Sequence, residues 1–165
     1  MVEKLEEVSG KLLIKLELTL SLAESCTGGL VGSRLTDVPG SSRYFLGGVL
    51  AYSDSIKIEL LCVDPGTIQK YGAVSAECAI EMARGARQLT HAQVGIAVTG
   101  IAGPDGGTPE KPVGTTFVAL ATESGEDVQR FQWRGDRISN KRQSADAALT
   151  MLIQYLEGHA ESAVG

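Results

Sequence analysis

The architecture follows from one segment, Leu18-Thr19-Leu20-Ser21-Leu22-Ala23-Glu24-Ser25-Cys26-Thr27-Gly28-Gly29. Its first six residues alternate apolar and polar side chains, which predicts a β-strand over 18–23. The polar residues and paired glycines that follow predict a sharp turn over 24–29, and then a short helix from about Gly28 to Leu35. A buried strand that turns through glycine into a helix is typical of α/β folds, in which ligands bind at the carboxyl ends of parallel strands.

The rest of the chain continues to alternate helices with strands. An amphipathic helix is predicted over 3–16, before the first strand. Further strands are predicted over 45–52, 94–99, 115–121 and 127–133, and a turn is predicted at Asp64-Pro65-Gly66. Three more helices are predicted: one starts at Ser53 or Asp54, one runs from Ser75 to about Leu89, and one runs from Arg137 to about Leu156. Together these elements predict a three-layer α/β/α sandwich with a mixed, mainly parallel sheet.

Composition excludes several classes of protein. The 165 residues are 43% hydrophobic and 21% charged, so we predict a single domain over 1–165, with a core over about 5–157 and a frayed tail over 158–165. No apolar stretch approaches the roughly 20 residues of a membrane-spanning helix, and no signal peptide is visible. The net charge of −5 argues against a nucleic-acid binder. Three cysteines without a close pair favour a reduced, cytoplasmic protein, and no metal-ligand spacing is present.

Ser25 lies where the first strand gives way to the glycine turn. The backbone N–H groups of Thr27, Gly28 and Gly29 are expected to point outward there, where they could bind a phosphate or the oxyanion of an acyl transfer. The alternative is that Ser25 or Thr27 only caps the helix. Cys26 is a rival nucleophile, although a small cysteine more often packs in a core.

A serine nucleophile needs a base, and the two histidines are poorly placed for that role. His91 precedes the third predicted strand, at the opposite end from Ser25, and His159 lies in the tail. Lys57 is the remaining candidate, because partial burial among isoleucines would lower its pKa. Tyr52 could orient this lysine or relay a proton. The alternative is that Lys57 is a solvated surface lysine.

Two further segments are candidates for ligand contact. Thr99 ends the third strand, and the glycine- and proline-rich loop that follows either approaches a ligand closely or only shapes the edge of the sheet. Arg137, at the start of the last helix, and the nearby Lys141 and Arg142 favour an anionic ligand such as phosphate. Alternatively, Asp136 caps this helix and the cations form a solvated face.

Five motifs occur here in the same order as in one known family. They are Ala23-Glu24-Ser25-Cys26-Thr27-Gly28-Gly29, Tyr52-Ser53-Asp54-Ser55-Ile56-Lys57, Tyr71-Gly72-Ala73-Val74-Ser75, Thr99-Gly100-Ile101-Ala102-Gly103-Pro104-Asp105-Gly106-Gly107 and Lys111-Pro112-Val113-Gly114-Thr115. Over about 5–157 the chain resembles the C-terminal domain of CinA, the competence/damage-inducible protein family. The stand-alone PncC members of this family are nicotinamide-nucleotide amidases. Departures are small: Glu17 stands where relatives often have glycine, and the sequence does not include the N-terminal domain of larger CinA proteins, so no second activity is expected.

The resemblance implies a function and a set of functional residues. It implies a bacterial cytoplasmic enzyme, a dimer or higher homo-oligomer, that hydrolyses nicotinamide mononucleotide (NMN) to nicotinate mononucleotide and ammonia without a metal or cofactor. Its implied serine nucleophile is Ser25, its lysine base Lys57 and its supporting tyrosine Tyr52. The substrate-binding residues that it implies are Thr99, Gly100 and Gly103, with Arg137 and Arg142 for the phosphate. A nucleotide-binding module with a degenerate site, or an amidase for another small amide, stays open as an alternative.

Overall fold

A computed structural model describes residues 3–162. Its elements are α1 (Leu5–Leu16), β1 (Leu20–Glu24), α2 (Leu30–Thr36), a 3-10 turn (Ser41–Arg43), β2 (Phe45–Leu50), α3 (Asp54–Leu61), α4 (Pro65–Tyr71), α5 (Ala76–Thr90), β3 (Val94–Gly100), β4 (Thr115–Ala121), β5 (Glu126–Gln132) and α6 (Arg137–Ser162). The predicted strands all occur, with small shifts at their ends. No helix in this part of the chain is both long and apolar enough to cross a lipid bilayer.

The strands form one mixed sheet in the order β2-β1-β3-β4-β5. Strand β1 pairs in parallel with β2 and β3, whereas β3 with β4, and β4 with β5, pair antiparallel. Strands β1 and β4 are buried along their whole length, as in a sheet covered on both faces, while the side chains of the edge strand β2 alternate in exposure. The predicted α/β/α sandwich with a mixed sheet is confirmed, but the sheet is not mainly parallel, because two of its four strand pairings are antiparallel.

Each face of the sheet packs against its own layer of helices. Leu13 of α1 and Leu152 of α6 belong to the core on one face, and Leu61 of α3 and Met82 of α5 belong to the core on the other. Helices α3 and α5 approach each other closely at Gly85, where a Cβ atom would overlap the backbone of Leu61. This contact fixes the position of α3, which carries one of the candidate catalytic residues.

The interpretation of Asp64-Pro65-Gly66 as a turn is wrong, because these residues begin helix α4. The Asp64 carboxylate accepts a hydrogen bond from the N–H of Gly66 at 2.7 Å. Pro65 occupies the first helical position, where a helix does not need its N–H and where its fixed φ is already helical.

The predicted end of the last helix at Leu156 is also wrong, because α6 continues to Ser162. Gly158 faces open space and causes no clash, and Ala160 and Glu161 are good helix formers. Residues 158–162 are thus helical and residues 163–165 lie outside the described range, so the fraying of the tail stays a prediction.

The parallel strands bring three predicted site residues to one edge of the sheet. Glu24, the last residue of β1, lies opposite Leu50 of β2 and Val98 of β3 in the register. Ser25 follows Glu24, Tyr52 comes two residues after Leu50, and Thr99 follows Val98, so all three lie at the carboxyl edge at which such sheets bind ligands.

Candidate active site

Ser25 and Lys57 form a buried pair at the carboxyl end of β1. The Nζ atom of Lys57 donates to Ser25 Oγ at 3.3 Å and to the carbonyl oxygen of Ala51 at 2.8 Å. Lys57 is 2% exposed and Ser25 is 8% exposed. Burial lowers the pKa of Lys57, although the Asp54 carboxylate, 3.8 Å from Nζ, opposes this shift. The alternative of a solvated surface lysine is therefore wrong, and the pair has the arrangement of a nucleophile and its base.

Local sequence explains why Lys57 reaches Ser25. Ser53 caps α3, its hydroxyl accepting the N–H of Ile56 at 3.3 Å, so the helix begins shortly after β2 ends. Lys57 lies in the first turn of this helix, and its Nζ also approaches the Tyr52 carbonyl oxygen at 3.4 Å. Backbone carbonyl groups at the end of β2 thus hold the ammonium beside the serine.

The Tyr52 side chain contacts Arg137 rather than Lys57. Its ring is 63% exposed, and its hydroxyl accepts a hydrogen bond from Arg137 Nη2 at 3.1 Å. Arg137 Nη1 donates to the Gly103 carbonyl oxygen at 2.6 Å. Only the Tyr52 backbone carbonyl approaches Lys57, so a role of the Tyr52 hydroxyl in orienting the lysine or relaying a proton stays a prediction. Arg137 links the end of β2 to the glycine loop.

Glu24 is a site residue that was not predicted from the sequence. It is 3% exposed, and its carboxylate accepts four hydrogen bonds. The donors are the Thr27 hydroxyl at 2.6 Å and the N–H groups of Gly29 at 3.0 Å, Val31 at 3.2 Å and Gly32 at 2.8 Å. The cap of α2 is therefore Glu24, not the Ser25 or Thr27 hydroxyl that the sequence suggested. A carboxylate just before a glycine turn and a helix start is the signal that could have identified it.

This cap changes which backbone N–H groups can face a ligand beside Ser25. The Gly28 N–H donates to the Ser25 carbonyl oxygen at 3.0 Å, and the Gly29 N–H donates to Glu24. The expectation that these two glycine N–H groups stabilise an oxyanion is therefore wrong. Within residues 3–162, the Thr27 N–H donates to no other group and the Cys26 N–H approaches only its own thiol, so these two are the candidate donors of the turn.

Cys26 packs in the core rather than competing with Ser25. The thiol is buried, and burial raises its pKa to about 12. It is therefore protonated at neutral pH, and a thiol is a much weaker nucleophile than a thiolate. The interpretation of Cys26 as a small core residue is confirmed.

Thr99, Gly100 and Gly103 shape the loop beside the site. Thr99 is 1% exposed, and its hydroxyl donates to the Ala73 carbonyl oxygen at 2.9 Å, which anchors the segment before α5. A Cβ atom at Gly100 would lie 3.0 Å from Cys26 Sγ, so the close approach of β3 to the turn requires glycine. These contacts are structural, and binding of substrate by these residues stays a prediction.

A cavity of about 370 Å³ adjoins the glycine turn. It is lined by Thr27, Gly28, Gly29, Leu30, Ser33, Ile138, Lys141 and Arg142. Arg142 thus lies where an anion could bind beside the turn, whereas Arg137 is not among the lining residues.

Asp136 caps α6, because its carboxylate accepts a hydrogen bond from the Ser139 N–H at 2.8 Å. This agrees with one of the two interpretations of this segment that the sequence allowed.

The histidines lie away from this site. His91 ends α5 at the opposite end of β3, and His159 packs against Tyr155 on α6. Across residues 3–162, no group of three or more His, Cys, Asp or Glu side chains is arranged to hold a metal ion.

Known proteins are similar to this chain over most of its length. The family model described as CinA C-terminal domain matches residues 2–156. The CinA-like protein of Chlorobaculum tepidum is 51% identical over 158 residues, which cover 93% of this chain and 37% of that protein. The CinA-like protein of Thermotoga maritima is 47% identical over 156 residues, which cover 94% of this chain and 38% of that protein. The chain thus spans little more than a third of the length of these relatives.

Solved structures share the fold. A CinA superfamily protein from Klebsiella pneumoniae superposes with a TM-score of 0.89 at 31% identity, covering 94% of this chain and 99% of that one. The competence/damage inducible protein CihA from Agrobacterium tumefaciens superposes with a TM-score of 0.85 at 36% identity, covering 95% and 98% of the two chains.

Proposed function

The chain belongs to the CinA C-terminal domain family, and on this premise we propose that it is an amidase that hydrolyses NMN to nicotinate mononucleotide and ammonia. The observation that carries the proposal is the buried Ser25–Lys57 pair, with Nζ and Oγ 3.3 Å apart. Burial lowers the pKa of Lys57, which increases the fraction of neutral amine that can accept a proton. From the family resemblance we propose in addition that the protein forms a homo-oligomer and that it is located in the cytoplasm.

The first half of the reaction forms an acyl-enzyme. Neutral Lys57 removes the hydroxyl proton as Ser25 Oγ attacks the carboxamide carbon of the substrate. The oxyanion that develops accepts hydrogen bonds from the N–H groups of Cys26 and Thr27, each of which contributes about 3–4 kcal/mol in comparable sites. The protonated Lys57 then donates its proton to the leaving nitrogen, the C–N bond breaks and ammonia departs.

The second half regenerates the enzyme. Lys57, neutral again, removes a proton from water as the water oxygen attacks the acyl carbon. The bond between that carbon and Ser25 Oγ then breaks, and the serine takes the proton back from Lys57. The carboxylic acid that results loses its remaining proton to solvent and leaves as a carboxylate. The positive charge of the pyridinium ring draws electrons from the carbonyl group and so favours both attacks.

The test measures ammonia released from NMN by the purified protein without added metal. The wild type and a Lys15→Met variant, which loses an exposed lysine on α1, are expected to release ammonia at the same rate. Ser25→Ala and Lys57→Met are expected to lose at least about a thousand-fold in kcat, while Ser25→Ala still binds NMN within a few-fold.

Each alternative gives a different result in this assay. Turnover retained by Ser25→Ala would contradict the assignment of the nucleophile. A wild type that releases no ammonia, yet melts at a higher temperature with NMN, would be a nucleotide-binding module. Release from other small amides but not from NMN would indicate a different amidase.

A further inference from the structure

Arg34 joins helices α1, α2 and α6 behind the glycine turn. It lies in the last turn of α2, the helix that begins directly after that turn. Its Nη2 and Nε atoms donate to Oε2 of Glu6 on α1 at 2.7 and 3.2 Å, and its Nη1 atom donates to Oδ1 of Asp146 on α6 at 2.7 Å. Only 21% of the Arg34 side chain is exposed. One largely shielded guanidinium therefore binds two carboxylates from two different helices.

These three side chains border a cavity of about 690 Å³, which adjoins the cavity beside the glycine turn. The two cavities share Leu30 and Arg142 as lining residues. Asp146 lies four residues after Arg142 on α6, a spacing at which an arginine and an aspartate can pair. In the part of the chain that the structure describes, however, no ion pair joins them. Arg142 therefore borders both cavities without a carboxylate partner.

The carboxylates that line the larger cavity all bond to cations other than Arg142, as far as residues 3–162 are concerned. Glu3 pairs with a lysine of α1, and Glu6 and Asp146 pair with Arg34. Burial alone would raise the pKa of Glu6, but the hydrogen bond from Arg34 outweighs burial and lowers it, so Glu6 is charged at neutral pH. Without Arg34, two negative charges would therefore be left beside Arg142.

The charge of Arg142 matters for the substrate proposed above. The family resemblance assigns the phosphate of NMN to Arg137 and Arg142, and of these two only Arg142 lines the cavity beside the glycine turn. A guanidinium that is paired with a carboxylate has fewer donors left for a phosphate, and the pair has no net charge to attract one. The affinity for NMN should therefore depend on what keeps Asp146 away from Arg142.

We propose that Arg34 is a positioning residue for the substrate-binding site: by binding Glu6 and Asp146, it keeps Arg142 free to bind the phosphate of NMN. The proposal rests on the amidase function proposed above, and it adds a residue that lies outside the cavity beside the glycine turn. Because Arg34 acts on binding and not on the reacting groups, its loss should change KM and leave kcat almost unaltered.

The first test measures kcat and KM for ammonia release from NMN. Arg34→Met is expected to raise KM roughly three- to ten-fold with kcat within about two-fold, because Arg142 then pairs with Asp146. Adding Asp146→Asn is expected to return KM to within about two-fold of the wild type, since the competing carboxylate is gone. The control Arg84→Met breaks a comparable ion pair, with Glu126 of β5, and is expected to change neither value.

A purely structural role of Arg34 predicts a different pattern. If Arg34 only holds the helices together, adding Asp146→Asn cannot restore KM, and kcat falls together with the affinity; that result would overturn the proposal. Arg34→Lys keeps the positive charge and is expected to keep KM within about three-fold. Because Arg34→Met leaves Glu6 buried without its partner, each variant is first checked by thermal melting. Where the double variant does not fold, Arg34→Met/Glu6→Gln/Asp146→Asn, which leaves neither carboxylate unpaired, takes its place.

Binding of NMN separates failure of this proposal from failure of the amidase function. Calorimetric titrations use Ser25→Ala proteins, which cannot form the acyl-enzyme. The Kd for NMN is expected to rise with Arg34→Met and to recover with Asp146→Asn, whereas the Kd for nicotinamide riboside, which has no phosphate, should not follow this pattern. An unchanged Kd for NMN in Arg34→Met would refute the role of Arg34. If the wild type binds NMN and releases no ammonia, the amidase function fails and the Kd values alone decide this proposal; if it binds no NMN, both fail.

Discussion

Replacing Glu24 with glutamine should show how strongly one carboxylate holds the turn that carries Ser25, the proposed nucleophile. Oε2 accepts three hydrogen bonds and Oε1 accepts the fourth, from Gly32. In Glu24→Gln the amide oxygen can replace only one of these atoms. If it replaces Oε2, the Gly32 N–H faces an NH2 group, and a buried donor loses its acceptor.

The size of the effect follows from these contacts. A buried polar group without a partner costs about 1–3 kcal/mol, and bonds to a charged acceptor are roughly twice as strong as bonds to a neutral one. With one bond lost and three weakened, we expect Glu24→Gln to lose about 3–4 kcal/mol of its free energy of unfolding. For a chain of this size, that corresponds to a melting temperature lower by roughly 10 °C.

The assay is urea denaturation at neutral pH, followed by circular dichroism, with Glu6→Gln as the matched control. Glu6 is also a shielded, hydrogen-bonded carboxylate, but it bonds to the Arg34 side chain and lies away from Ser25. We expect this control to lose only about 1–2 kcal/mol and to keep its activity, because both Arg34 bonds end on one oxygen atom, which the glutamine oxygen can replace.

Glu24→Gln should in addition lose at least about ten-fold in kcat for ammonia release, because small displacements of a nucleophile reduce rates strongly. The reasoning would be refuted if Glu24→Gln melted within about 2 °C of the wild type and released ammonia at an undiminished rate.

Two further predictions concern the base and the packing behind it. Lys57→Met should be as stable as the wild type at pH 7, or more stable by up to about 2 kcal/mol, because a buried ammonium carries a desolvation penalty. The folded-state pKa is lowered, so the unfolded chain binds the extra proton. The wild type therefore gains stability as the pH rises from the folded pKa of Lys57 toward the ordinary value of 10.5. The difference in free energy of unfolding between the wild type and Lys57→Met, measured in urea titrations, should narrow over that range. A difference that does not change with pH would disprove this. Gly85→Ala should lose at least about 2 kcal/mol of its free energy of unfolding, because its Cβ meets the backbone of Leu61. Gly158→Ala, in which the new methyl group faces open space on α6, should gain up to about 1 kcal/mol. Equal effects of the two substitutions in melting experiments would exclude the close contact of α3 with α5.

Elements with a clear periodicity were predictable from the sequence. Strands β1, β3 and β4 are apolar and short, and capping residues mark the starts of α3 and α5. Helix α4 was missed because a seven-residue helix buries no side chain fully and so shows little pattern, and because Asp-Pro-Gly is also typical of a turn.

The candidate site was predictable in its residue types and less so in its contacts. The carboxyl-end rule placed Ser25, Tyr52 and Thr99 at one edge of the sheet. The poor placement of the histidines and the family resemblance paired Ser25 with Lys57, and the structure brings these two within 3.3 Å. The allocation of hydrogen bonds was not predictable, because it depends on which acceptor reaches each N–H group in three dimensions. Glu24 takes the donors expected to serve an oxyanion, and Arg137 takes the Tyr52 hydroxyl expected to serve the lysine.

The surroundings of Lys57 explain why its pKa is lowered, which its proposed role as a base requires. Its Nζ is almost inaccessible to solvent and is held by carbonyl oxygens, which are neutral and cannot replace the full hydration of an ammonium. The one nearby carboxylate, Asp54, would favour the charged form, but its side chain is 59% exposed and 3.8 Å away, so water screens much of its effect. Burial therefore outweighs attraction, and the pKa of Lys57 falls. Desolvation favours the neutral amine that the proposed mechanism needs to remove the proton of Ser25, and the same desolvation lowers the free energy of unfolding. The catalytic proposal and the expected stability of Lys57→Met therefore depend on one physical cause.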